Sequence, residues 1–232
     1  MDDPRLLAVL FDVDFTLAKP GPDLGPEGYR VLGRRFGLDL EADRYPEARA
    51  TAVANLRRHP ELEHDEEIWV AFTEEIVRGM GGDGGRAHAC AVEMTRRWER
   101  SENFELYEDV LPALAELRRY GLKLGLVSNT GRDLDGFVQH HALDVDAAVS
   151  SRTHGKTKPD PSIFRAALDL LAVDASAAAM VGDSIDDDIE GARALGMQAV
   201  LLDREGRHPQ QPEALRGLRE LPGALGLAPL AP

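Results

Sequence analysis

Two aspartates two residues apart, Asp12 and Asp14, close the apolar run "LLAVLF" near the start of the chain. Side chains at i and i+2 of a strand point the same way, so both carboxylates can face one reacting group. One can attack as a nucleophile while the other gives and takes a proton. Further along, Ser128-Asn129-Thr130 follows the apolar "LGLV", Lys156 and Lys158 lie in "RTHGKTKPD", and Asp183 directly follows "AAAMVG". Carboxylate, hydroxyl, amide and ammonium groups thus recur where apolar runs end.

The elements that must position these groups can be read from the hydrophobic pattern. Residues 6–11 form a buried strand, too short for a helix and bounded by the acidic turn. The Pro- and Gly-rich "AKPGPDLGPEG" reads as a hinge or linker. From about residue 23 to 102, helical spacing recurs in "GYRVLGRRFGL", "YPEARATAVANLRRH", "DEEIWVAFTEEIVRGM" and "RAHACAVEMTRRWERS", which predicts a small bundle without strands. From about residue 108, helices alternate with the strands "LKLGLVS", "AAVSS", "AAAMVGD" and "QAVLLD". That alternation requires right-handed crossovers and a parallel sheet covered on both faces.

The first strand must join this sheet to bury its apolar faces. The expected architecture is therefore an α/β Rossmann-like core, residues 1–19 and 105–232, with an inserted all-helical domain at 20–104. After Asp203 the pattern offers one short helix and a weakly structured tail. In an open parallel sheet, ligands bind at the carboxyl ends of strands where the strand order reverses. The polar groups above should converge on that edge.

Composition bounds the partners. The formal charge of −14 repels nucleic acid and anionic membranes over long range, and would repel a phosphorylated substrate as well. An anion site must therefore be built locally from a cation, a lysine or backbone N–H groups. No run of about 18 apolar residues exists, and the first residues lack a basic segment and a cleavage site, so the expectation is a cytoplasmic protein. A single cysteine, Cys90, rules out an internal disulfide and reads as a buried apolar residue. The seven histidines show no zinc-ligand spacing.

In this order, "DVDFTL", "VSNT", "KPDPSIF" and "GDSIDDDIEGA" resemble the four motifs of the haloacid dehalogenase superfamily, in its phosphatase branch. The resemblance covers about residues 5–19 and 105–203, and the helical insertion sits where that family carries its first type of cap. It implies a Mg²⁺-dependent phosphomonoester hydrolase acting on a small phosphorylated metabolite through an aspartyl-phosphate. Asp12 would be the nucleophile and Asp14 the acid/base. Ser128 and the N–H of Asn129 would hold phosphate oxygens, and Thr16 would hydrogen-bond the nucleophile's loop at the substrate. Lys158, which precedes Pro159-Asp160-Pro161, would balance charge around nucleophile and phosphate. The metal would take carboxylate oxygens from Asp12, Asp183 and Asp188 and the backbone carbonyl of Asp14.

The chemistry is consistent with elementary electrostatics. A carboxylate can attack an anionic phosphoryl group only if the repulsion is neutralised, and a hard divalent cation with oxygen ligands does this. Alternatives within the same chemistry are a phosphotransferase or mutase, or a non-enzymatic phospho-acceptor or binding module. Dehalogenation fits less well, because Asp14 supplies the acid/base that phosphate chemistry needs and the family's dehalogenases lack.

Each residue also has a structural reading. An aspartate at a strand end suits a turn, and Asp186 and Asp187 suit the first turn of a helix. Asp188 matches the family's second acidic position in its motif, with Asp187 the alternative one residue earlier. "GKT" is not a P-loop, which needs a glycine where Ser150 stands, and Lys156 reads as a surface residue. Arg96, Arg97 and Arg100 read as a solvated helix face. Phe15 departs from the family's small or polar residue, and an aromatic at φ > 0 would be awkward there.

Overall fold

A computed structural model describes residues 5–229. Its strands are β1 (Ala8–Phe11), β2 (Ala18–Pro20), β3 (Phe104–Leu106), β4 (Lys123–Ser128), β5 (Ala147–Ser150), β6 (Ala178–Gly182) and β7 (Gln198–Leu201). The helices begin with α1 (Pro26–Arg35), α2 (Tyr45–Asn55), α3 (Glu66–Gly79) and α4 (Gly84–Trp98). They continue with α5 (Val110–Arg119), α6 (Leu134–His140), α7 (Ser151–His154), α8 (Pro161–Leu171), α9 (Gly191–Ala194) and α10 (Leu221–Ala224). The chain divides into two compact units: Pro20–Glu105 with Gly131–Asp133, and the remainder.

The larger unit is built on a five-stranded sheet of order β5-β4-β1-β6-β7, parallel at every pairing. Each strand is a short apolar run because a parallel sheet is covered on both faces. On one face, α8 presents Ile163, Phe164, Ala167, Leu168 and Leu171 at helical spacing, and they pack with Leu10, Val127, Val149 and Met180. Asp160 caps α8 by accepting the Ser162 N–H at 2.8 Å, and Pro161 occupies its first turn. The chain leaves central β1 for β4 and β5, then crosses back to β6 and β7 on the other side. The carboxyl ends beside β1 are therefore the switch point.

The smaller unit holds α1 to α4. α3 starts at Asp65, whose carboxylate accepts the Glu67 N–H at 2.8 Å. Gly79 lets α2 and α3 approach, since a Cβ there would meet that of Ala48 at 2.5 Å. Cys90 is buried, as expected, among Ala87, Ala91 and Met94 of α4. Arg96 and Arg100 are exposed and Arg97 half-buried. Arg132 was not singled out by its sequence, yet it is fully buried here. It donates to the Trp98 carbonyl at 3.2 Å and lies 3.6 Å from the Phe104 ring centroid.

The segment expected to be a linker is ordered differently. Ala18–Pro20 is a strand paired with Phe104–Leu106 in a separate two-stranded sheet, and Pro22–Leu24 is a 3₁₀ turn. Among the described residues no helix is long and apolar enough to cross a membrane.

Candidate active site

The sheet register sets the site. Phe11 pairs with Leu126 on one side and Val181 on the other, so Ser128 and Asp183 both stand level with Val13, one step past Asp12. The Asp12 N–H still donates to the Val181 carbonyl at 2.9 Å, which fixes the backbone beneath that carboxylate. The chain then turns sharply, with the Leu17 and Ala18 N–H groups both donating to the Val13 carbonyl at 2.8 and 2.9 Å.

Phe15 adopts φ 65, the left-handed conformation expected to be awkward, and its N–H is held by the Ala18 carbonyl at 2.7 Å. For a non-glycine residue that conformation costs about 1–2 kcal/mol. Asp14 is half-buried beside it. Thr16 is buried, but its hydroxyl has no hydrogen-bond partner among the described residues, so the expected bond to the nucleophile's loop is not formed.

Lys158 reaches the site from β5 by way of α7. Ser150 caps that short helix by accepting the Thr153 N–H at 3.2 Å, and Gly155 at φ 90 ends it. Asn129 then clamps the Lys158 backbone on both sides: its Oδ1 accepts the Lys158 N–H at 2.7 Å and its Nδ2 donates to the Lys158 carbonyl at 3.1 Å. The lysine side chain, 2% exposed, donates to Asp12 Oδ1 at 2.5 Å and Asp188 Oδ1 at 2.7 Å. Lys156 is half-buried, outside this contact.

Asp188 reaches inward because Ile185–Glu190 is a π-type turn, where the Ile189 N–H donates to the Ser184 carbonyl at 3.2 Å. Its Oδ2 accepts the Ser184 N–H at 3.0 Å. Gly182 makes room, since a Cβ there would lie 2.2 Å from that same oxygen. Asp187 is half-buried and Asp186 exposed, with the Asp187 N–H donating to Ser184 Oγ at 3.2 Å. Geometry therefore favours Asp188 over Asp187 as the partner of Asp12. Asp12, Asp183 and Asp188 each offer an oxygen, all within 4.8 Å of one another.

Three carboxylates share this space with few compensating charges. Burial raises the Asp12 carboxyl well above its ordinary value; Lys158 opposes this, while Asp188 and Asp183 add to it. Burial and Asp188 likewise raise Asp183, against the pull of Arg207. Burial alone would lower Lys158, but Asp12 and Asp188 outweigh it and the ammonium is held more firmly than usual. Hard oxygen donors packed with excess negative charge suit a divalent cation such as Mg²⁺.

The tail expected to be weakly structured instead closes one side of this cluster. Arg207 pairs with the Asp183 carboxylate, and His208 Nε2 lies 2.9 Å from the Asp183 carbonyl. Both residues are set by Asp203, whose oxygens accept the Arg207 N–H at 2.7 Å and the His208 N–H at 3.0 Å. Arg204 Nε donates to the Thr16 carbonyl at 2.9 Å and forks onto Asp109 at 2.8 and 3.1 Å. The available signal was Asp203-Arg204 itself, polar residues at the end of the last strand of the same sheet.

Burial would raise the Asp203 carboxyl, but the N–H groups of His208 and Arg207 outweigh it and hold the carboxyl below its ordinary value of 3.8. A lowered folded-state value contributes stability above that ordinary value, lost as pH falls through the folded one. Asp203→Asn should therefore cost about 1–3 kcal/mol near neutrality, with the deficit shrinking in acid. Thermal denaturation from pH 7 downward checks this, and a deficit independent of pH would contradict it.

A model of haloacid dehalogenase-like hydrolases matches residues 6–196. The phosphoserine phosphatase of Thermus thermophilus is 35% identical, with 91% of this chain and 94% of that protein aligned. Haloacid dehalogenase-like hydrolase domain-containing protein 3 of Bos taurus is 30% identical, with 90% and 85% aligned. Among solved structures, a HAD phosphatase from Thermococcus onnurineus superposes with a TM-score of 0.66 at 27% identity, covering 95% of this chain and 98% of that one. The family match begins ahead of β1 and ends at the turn before β7, and the chain belongs to the haloacid dehalogenase-like hydrolase family.

Proposed function

We propose that the chain is a Mg²⁺-dependent phosphomonoester hydrolase acting on a small phosphorylated metabolite. The observation that carries this reading is the buried arrangement of Asp12, Asp183 and Asp188 around the Lys158 ammonium at the sheet's carboxyl edge. A phosphatase name on the Thermus relative and on the Thermococcus structure supports the same chemistry.

Asp12 attacks phosphorus through a carboxylate oxygen, and the bond from phosphorus to the leaving oxygen breaks. Asp14 supplies the proton that the leaving oxygen needs, then takes one from the water that attacks the aspartyl-phosphate. The Asp12 carboxylate and inorganic phosphate result. Such proton transfers contribute roughly 10²–10⁴-fold. Lys158 holds the attacking oxygen in place and offsets the phosphate's charge, and Asn129 fixes that lysine through its backbone while its own N–H faces the phosphate with the Ser128 hydroxyl. The carboxylates of Asp12, Asp183 and Asp188 and the Asp14 carbonyl would hold the metal, which when bound neutralises the repulsion between carboxylate and phosphoryl group. The helical unit, inserted where the family carries its first type of cap, is our candidate for the part of the chain that selects the substrate.

Phosphate release from p-nitrophenyl phosphate and a broad panel of phosphorylated metabolites tests this. Turnover with Mg²⁺, its loss on chelation and its recovery on adding Mg²⁺ back are expected. Turnover unaffected by chelation, or none on any ester, would sink the reading.

A further inference from the structure

Arg207 is not used by the mechanism above, yet it occupies the Asp183 carboxylate. Its backbone is secured independently of that contact: the Arg207 and His208 N–H groups are held by Asp203, which Arg216 also reaches at 3.0 Å. The guanidinium can therefore leave Asp183 without loosening the segment. Its side chain is 36% exposed, and two further groups would keep it nearby. Glu205 lies 3.5 Å from its Nε, and the Phe15 ring centroid lies 5.4 Å from the guanidinium carbon, within the range of a cation–π contact. Phe15 directly follows Asp14, the residue assigned to the leaving oxygen, and the turn holds it there at φ 65. The guanidinium thus pairs with Asp183 and lies near the ring of Phe15, the chain neighbour of Asp14.

We propose that Arg207 is a counter-ion which a divalent cation displaces from Asp183, and which then binds an anionic substituent on the leaving group. The inference rests on the phosphatase reading and adds a substrate class to it: phosphate monoesters carrying a second anionic group, a carboxylate or another phosphate. A chain of net charge −14 disfavours such multiply charged anions at long range, so a local cation near Phe15 is what would admit them. Displacement also follows from charge: guanidinium and metal compete for the same carboxylate, and each is repelled by the other.

The test compares wild type, Arg207→Gln and Arg207→Lys. Mn²⁺ binding to the substrate-free proteins, measured by calorimetry, should tighten about two- to fivefold in Arg207→Gln, the range a partly exposed ion pair allows. It should stay near wild type in Arg207→Lys, which keeps the charge. With metal present, kcat/KM for 4-carboxyphenyl phosphate relative to phenyl phosphate should fall severalfold in Arg207→Gln and be largely kept in Arg207→Lys. A second pair, glycerol 1-phosphate against glycerol 1,3-bisphosphate, separates a carboxylate preference from a phosphate one; a fall in either pair supports the assignment. Unchanged or weaker Mn²⁺ binding in Arg207→Gln would show that Arg207 merely orients Asp183, and unchanged ratios in both pairs would remove it from the substrate. Either result overturns the proposal while wild-type turnover stands. Absence of turnover in wild type would instead strike the phosphatase reading itself.

Discussion

Asp12→Asn should lose at least about 10⁴-fold in turnover of any phosphate ester, because an amide cannot form the acyl-phosphate and deleting a covalent nucleophile removes the whole route. The same substitution should leave the fold at least as stable as wild type near neutrality. Burial, with Asp188 and Asp183 nearby, raises the Asp12 carboxyl well above its ordinary value even against Lys158. A group raised in the folded state contributes its stability below the ordinary value, and that contribution is lost as pH rises through the folded one. Ionised Asp12 is thus a cost at neutral pH that the amide does not incur. Steady-state kinetics with thermal melting in chelator separates this from misfolding. An inactive variant that melts well below wild type would assign Asp12 to structure instead.

Lys158→Met should act in the opposite sense on stability. The ammonium is the shared partner of Asp12 at 2.5 Å and Asp188 at 2.7 Å, buried at 2% exposure. Removing one partner from a buried ionic cluster leaves uncompensated charge and costs about 3–5 kcal/mol. The deficit should shrink as pH falls and the carboxyls protonate, and shrink again on adding Mg²⁺, which restores positive charge. Turnover should fall about 10²–10³-fold, the usual loss when one preorganised stabiliser of developing charge is removed. Melting curves in chelator and in Mg²⁺ check both parts. Wild-type stability in chelator would show that the carboxylates do not depend on the lysine.

What is legible in the sequence follows from locality. Apolar runs ending in Asp12, Ser128 and Asp183 mark parallel strands and their carboxyl ends together, so the same residues report the fold and the edge where the site forms. Lys158 stood out from Lys156 through the Pro-Asp-Pro that follows it, and the structure adds the reason: Asn129 clamps its backbone. Asp188 could not be separated from Asp187 by spacing, because the choice depends on a π-type turn that shifts the helical register, and on room left at Gly182. Ala18–Pro20 looked like linker because its proline and glycine neighbours are turn formers, while its strand character comes from pairing with residues about 85 positions away. Arg207 and His208 carry no periodic signal at all. Their placement depends on one carboxylate, Asp203, that organises an otherwise irregular segment.

The central claim is that phosphate passes through Asp12, and Asp14→Asn should expose it. An activated ester such as p-nitrophenyl phosphate has a leaving group that hardly needs a proton, so transfer to Asp12 can proceed while hydrolysis of the aspartyl-phosphate lacks its base. Rapid mixing of Asp14→Asn with that ester and Mg²⁺ should release a burst of about one equivalent of p-nitrophenol per site, followed by slow turnover. Peptide mass spectrometry after acid quench should then place the phosphate on Asp12, and the double variant with Asp12→Asn should show neither burst nor label. A burst that survives in that double variant, or phosphate found on any other residue, would contradict the assignment of Asp12 as the nucleophile.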